Sequence, residues 1–165
     1  MRPRRRPSRP ARRASTLLEC IVVIVVLALA IPPTLSWMAQ AADQRADQVN
    51  SVRALTLAQG VLENIMADTM STTAGLGFAA LSSSSTYLDT PTTGLRARLA
   101  AVSSPYTTLG LSYDVTIGAL VDSAGAVNAD TSLNLFRHVK VTVSFSLSDG
   151  TTAALDVQTV LADLS

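Results

Sequence analysis

Cysteine and histidine are almost missing from this chain: Cys20 and His138 stand alone. One thiol excludes an intramolecular disulfide, so an exported body would hold together without the staple common in small secreted domains. One Cys and one His also exclude the usual zinc and iron–sulfur ligand sets. Aromatic residues are only 4% of the 165 positions. Any core must therefore come from Val, Leu, Ala and Ile, and a core of that size leaves a small domain with little stability in reserve. No cluster of reactive side chains appears, so the chain does not read as an enzyme. Asp122, Asp130 and Asp149 fall in loop-like stretches without EF-hand spacing, and His138 reads as a rim residue at the start of a strand. No metal site and no cofactor are expected.

Acidic residues are missing from the N-terminus. Arg2, Arg4, Arg5, Arg6, Arg9, Arg12 and Arg13 all precede the first acid, Glu19. The formal charge of +1 thus conceals a +7 leader and a body in which six basic groups face 12 acids. An arginine-rich arm can bind nucleic acid. Here it abuts an apolar run, and basic residues beside such a run stay on the cytoplasmic side of a membrane. Topology explains the arginines better than nucleic acid does.

Charge is missing again from Cys20 to Ala42, a span of 23 residues. At about 1.5 Å per residue it reaches across a bilayer of about 30 Å. Pro32 and Pro33 interrupt it. Each lacks an N–H and crowds the carbonyl four residues back, so a helix kink is expected there. Beyond the span, Ala42, Ala46, Val49, Val52, Leu55, Ala58, Leu62 and Ile65 recur every three or four residues. That spacing predicts an amphipathic helix over 43–70 continuous with the apolar segment. From Leu17 to Met70 it would run about 80 Å. A domain of under a hundred residues cannot cover so long a stripe, which implies lipid and partner subunits.

Residues 71–110 hold 15 Ser or Thr, with Ser82–Thr86 in a row and Gly75, Gly77, Pro91, Gly94 and Pro105 as punctuation. They read as an irregular, solvated connector with a short helix at Leu95–Val102. The last third alternates. Leu111, Tyr113, Val115 and Ile117, then Val139, Val141, Val143, Phe145 and Leu147, then Ala153, Leu155 and Val157 take every second position. Period two means one buried and one wet face. Asp149-Gly150 marks a hairpin turn. The expected fold is α+β: a long N-terminal helix packed on an antiparallel sheet with strands near 111–121, 136–148 and 152–161. The loop 122–133 is expected to be exposed.

The oddest residue is Glu19, a carboxylate opening a membrane segment, where an ionisable group asks for an explanation. One explanation is local: Thr16-Leu17-Leu18-Glu19 fits a capping box, at the positive end of a helix dipole. The other requires cleavage between Ala14 and Ser15. The new α-amine at Ser15 would then stand one helical turn from Glu19 and pair with it within or between chains.

The string Arg12-Arg13-Ala14-Ser15-Thr16-Leu17-Leu18-Glu19-Cys20-Ile21-Val22-Val23-Ile24 resembles the start of type IV prepilins and type II secretion pseudopilins. In that family a basic leader precedes a peptidase site, glutamate stands fifth in the mature chain, and an apolar helix follows. The resemblance makes Ala14 and Ser15 the cleavage site, Ser15 the N-methylated first residue and Glu19 the assembly residue. This chain has Ala14 where the family usually has Gly, Ser15 where it usually has Phe, and its prolines come earlier. Leu57–Asn64 followed by a Ser/Thr loop, and Val139–Phe145 followed by a turn and a strand, resemble the small I-type minor pseudopilins and V-type minor pilins. The resemblance implies a pilin-like fold and a filament subunit. Its implied partners are a prepilin peptidase, other pilin or pseudopilin subunits, an inner-membrane assembly platform and membrane lipid. It also implies a single-pass protein with a cytoplasmic N-terminus and a periplasmic or extracytoplasmic body. A different reading starts from Ala39-Gln40-Ala41 before Ala42, which resembles a signal-peptidase site and would release a small secreted domain. A third is a membrane-anchored binding domain with nothing removed.

Overall fold

A computed structural model describes residues 12–163, with side chains described from residue 17. The leader arginines before Arg12 lie outside the described residues. The chain divides into two compact units between Gln44 and Arg45.

The first unit is the N-terminal part of helix α1, which runs Arg12–Thr69. Every described side chain from Leu17 to Ala46 is exposed. Leu17–Thr69 contains a window with mean hydropathy 2.5, long and apolar enough to cross a membrane. Pro32 and Pro33 stay inside the helix and do not end it. Just beyond them Thr34 Oγ1 lies 2.7 Å from the Ile31 carbonyl and 3.1 Å from that of Ala30, and Ser36 Oγ donates to the Pro33 carbonyl at 2.8 Å. These hydroxyls satisfy themselves on the backbone of their own helix, which is how Ser and Thr sit in an apolar segment.

The second unit packs the rest of α1 with two short helices, α2 (Ser84–Asp89) and α3 (Leu95–Thr108), on one face of a three-stranded sheet. Its strands are β1 (Ser112–Val121), β2 (Phe136–Ser146) and β3 (Thr152–Ala162), in the order β1-β2-β3 and antiparallel throughout. The expected strand positions agree with these within two residues. Alternation does what it should: Val139, Val141, Val143 and Phe145 are buried, while the residues between them are half-buried. Gly150, with φ of 82°, takes the left-handed position of the β2–β3 turn. The β1–β2 ladder gains one residue between Ile117 and Leu120, a bulge at Gly118.

The expected stripe on α1 is rotated. Val49, Val52 and Leu55 are exposed, at 47%, 64% and 40%. The buried stripe is Ala54, Leu57, Ala58, Val61 and Ile65, ending on Asp68. It shares only Ala58 and Ile65 with the expected one; Leu62 is half-buried against the core.

The connector is not a solvated loop. Phe78–Ser82 forms a 3-10 turn and Ser84–Asp89 is α-helical, with Phe78, Leu81, Tyr87 and Leu88 buried. The expected short helix exists, but α3 continues past Val102 through Pro105 to Thr108. Gly94 starts it for a steric reason: a Cβ there would meet Thr90 backbone atoms at 2.7 Å.

Candidate functional site

The residues singled out for processing, assembly and the helix kink all fall on α1. Ala14 and Ser15 are helical, but their side chains lie outside those described. Glu19 is one turn on from Ser15, exposed, in an unbroken helix. The backbone is helical from the first described residue, Arg12, so Thr16 is an interior position and not an N-cap in the uncut chain. The capping-box explanation of Glu19 therefore fails for this form of the chain, because an N-cap must have non-helical backbone. Pro32 and Pro33 stand one and two residues past Ile31 on the same exposed segment.

The body contributes two polar arrangements that the sequence reading missed. Asp68 ends the buried stripe of α1 and is 7% exposed. Its carboxylate accepts Tyr87 Oη at 2.5 Å and two guanidinium nitrogens of Arg98 at 2.8 and 2.5 Å. Arg98 Nε donates to the Thr93 carbonyl at 3.0 Å. One aspartate thus ties α1 to α2 and α3. Burial, with the hydrogen bond to Asp68, pushes the Tyr87 hydroxyl well above the usual phenol range. The bond to Asp68 raises Arg98 further. Asp68 carried a weak signal, standing three residues after Ile65 on the same helix face.

Arg137 is the second. Period two places it in phase with Val139 and Val141, and it is 7% exposed on the core side of β2. Its Nη1 donates to the Leu81 carbonyl at 2.8 Å and to that of Gly118, in the bulge, at 3.1 Å. The guanidinium lies 6.0 Å from the centre of the Phe78 ring, and its buried Nε has no hydrogen-bond partner among the described residues. Burial lowers its pKa. Both arrangements join elements of the body to one another, which is a structural task.

His138 is exposed, as expected of a rim residue. The loop acids are occupied locally. Asp122 accepts from the Ala124 and Ala126 amides and from Asn128, Asp130 from Ser132, and Asp149 from Thr151. These bonds hold all three carboxyls below their usual range. Among the described residues no three His, Cys, Asp or Glu side chains converge as a metal set would.

The most distinctive surface is apolar and belongs to α1 itself. In the first unit it encircles the helix from Leu17 to Met38; in the second it is the stripe Val49, Val52 and Leu55, turned away from the core. Comparisons with protein-family models, with curated proteins and with solved structures find no match to this chain.

Proposed function

We propose that this chain is a prepilin-like structural subunit: a peptidase removes residues 1–14, α1 anchors the rest in a membrane, and the subunit assembles into a filament through that helix. The observation that carries the reading is the division of labour along α1. The helix buries one stripe against its own body, yet its N-terminal span and the stripe Val49–Val52–Leu55 are left exposed. An exposed 20-residue apolar helix needs lipid or other helices around it. The arginine leader, Glu19 at the head of the span and the resemblance of residues 12–24 to prepilins add to this reading. So does a body whose polar groups are spent on holding it together, with no reactive cluster.

In this reading a minor pseudopilin or pilin role fits the small size of the body. Seven arginines keep the N-terminus cytoplasmic and the body is extracytoplasmic. In the bundle, the amine at Ser15 and the Glu19 carboxylate pair away from water, where each alone would be costly. The uninterrupted course of α1 through Ala39–Ala42 into core residues speaks for a chain that keeps its anchor, against signal-peptidase release at Ala42.

N-terminal sequencing of the membrane-inserted protein, expressed with a prepilin peptidase, tests the proposal. A start at Ser15 is expected. A start at Ala42 would make this a secreted domain, and an intact Met1 a plain anchored one. Ala14→Leu should leave the precursor uncut; mature protein still starting at Ser15 would remove Ala14 from the site.

A further inference from the structure

We infer that Asp47 is a releasable latch between α1 and the β2–β3 turn, so that the body opens at this end without unfolding. The Asp47 carboxylate accepts the Ser148 backbone N–H at 2.8 Å and the Ser148 hydroxyl at 2.9 Å. Both residues belong to the second unit, and Ser148 is exposed.

Each side of the latch keeps its own shape when the latch is open. The turn is closed by Leu147 N–H to the Thr151 carbonyl at 2.8 Å and Gly150 N–H to the Leu147 carbonyl at 3.0 Å. Asp149 braces it by accepting the Thr151 amide at 2.8 Å and hydroxyl at 2.6 Å. On the other side α1 is a continuous helix, with Ser51 Oγ bonded to the Asp47 carbonyl at 2.9 Å. Apart from the Ser148 N–H of the latch itself, neither partner depends on the other for its backbone hydrogen bonds.

The α1 side of the surface between them is polar, while on the turn side Leu147 is half-buried against the core. The half-buried α1 positions here are Asp47, Asn50, Ser51 and Arg53, and no α1 residue before Ala54 is fully buried. Separation returns hydrogen-bonding groups to water, which replaces most of what they lose. The far end of the same stripe is the opposite case. There Asp68 is buried, triply bonded to Tyr87 and Arg98, and preceded by Leu57, Val61 and Ile65 in the core. Opening at that end uncovers the core. The stripe therefore carries a fixed joint at Asp68 and a releasable one at Asp47, and local opening concentrates where little apolar area is lost.

Site-resolved amide exchange on the full chain in detergent micelles reads the latch directly, because the Ser148 N–H is protected by a side chain on another element. In the wild type Ser148 should exchange at least about a hundredfold faster than Val141 in the centre of β2. Asp47→Ala should speed Ser148 about tenfold more and leave Val141 unchanged. Asp47→Asn should fall between, since one amide oxygen still accepts. Equal exchange of Ser148 and Val141 in the wild type would mean that the turn is freed only by global unfolding, and would overturn the inference whatever the variants do. So would a Ser148 rate indifferent to Asp47→Ala, or one that rises together with that of Val141.

Discussion

Two carboxylates on α1 are asked for different things, and the difference lies in what surrounds them. Asp68 sits at the end of a buried stripe with Arg98 and Tyr87 on its oxygens. Removing it leaves the part-buried Arg98 with the Thr93 carbonyl alone and the buried Tyr87 hydroxyl without its acceptor. Breaking such a set costs about 2–4 kcal/mol. Asp68→Ala should lower the urea midpoint accordingly, with Tyr87→Phe costing about 1 kcal/mol. Tyr87 also sets a pH limit. Its folded-state pKa is raised above the unfolded value of about 10, so the stability it confers is complete below pH 10 and is lost as pH climbs toward the folded value. Alkaline titration followed by tyrosinate absorbance should show Tyr87 ionising late, together with unfolding; ionisation near pH 10 in the folded protein would contradict the Asp68 bond. Glu19 has no such partners among the described residues. Its place is exposed on an apolar span, one turn past Ser15, and the proposed function gives it a new N-terminus or another chain as partner. Glu19→Ala should insert and be cleaved normally, yet be depleted from sheared filaments relative to wild type. Recovery with Glu19→Gln would show that hydrogen bonding suffices. Wild-type incorporation of Glu19→Ala would remove Glu19 from assembly.

At the scale of elements, the strands were legible and the helices only in part. Period two has a single phase to choose, and Val139, Val141 and Val143 choose it for the sheet; Arg137 follows by parity, though its charge hides it from a search for apolar residues. A helix offers more faces. Choosing Val49 and Val52 because they are apolar turns the expected stripe by about 100° from a register one residue along, the angle of one helical step. The real inward face begins with Asp47, Asn50 and Ser51 and closes with Asp68, polar positions that apolar periodicity passes over. The connector misled for a related reason. Its Ser and Thr are mostly exposed, but Phe78, Leu81, Tyr87, Leu88, Leu95 and Leu99 are spaced to bury a thin layer over the sheet. The proposed set of Ala14, Ser15 and Glu19 can be read from sequence alone because it is one short string; the Asp68 joint was not legible, because its members lie 19 and 30 residues apart along the chain. The rotated stripe yields a test. Val49→Ser with Val52→Ser, on the outward face, should leave thermal stability within about 0.5 kcal/mol, as for exposed positions. It should weaken cross-linking to other pilin-like subunits. A large loss of stability would put these residues back in the core.

The two units of the molecule differ in what covers their apolar side chains. The core cluster draws on residues from Ala54 to Leu161 and takes nothing from the N-terminal span. Its largest fully buried side chains, Ile65, Leu81, Leu95, Leu111, Val139, Val141 and Val143, all lie in the second unit. The hydrogen bonds that join α1 to the rest, at Asp47 and Asp68, also lie past residue 44. The described side chains before Asp43 are all exposed and contribute none of the buried ones. The fragment from Asp43 onward is expected to be soluble and mostly monomeric, with a far-ultraviolet circular dichroism spectrum showing both helix and strand. It should unfold in one cooperative step, as single cores of this size do. Its modest, aromatic-poor core sets the expectation for stability at the low end for small domains, about 5 kcal/mol. Loss of helix in the fragment would mean that α1 needs its membrane half to form. Stable dimers at low micromolar concentration would mean that the outward stripe binds without the anchor. Cooperative unfolding of a monomer would place the drive to associate in the span before Gln44, whose apolar side chains from Leu17 to Met38 are left exposed by the rest of the described chain.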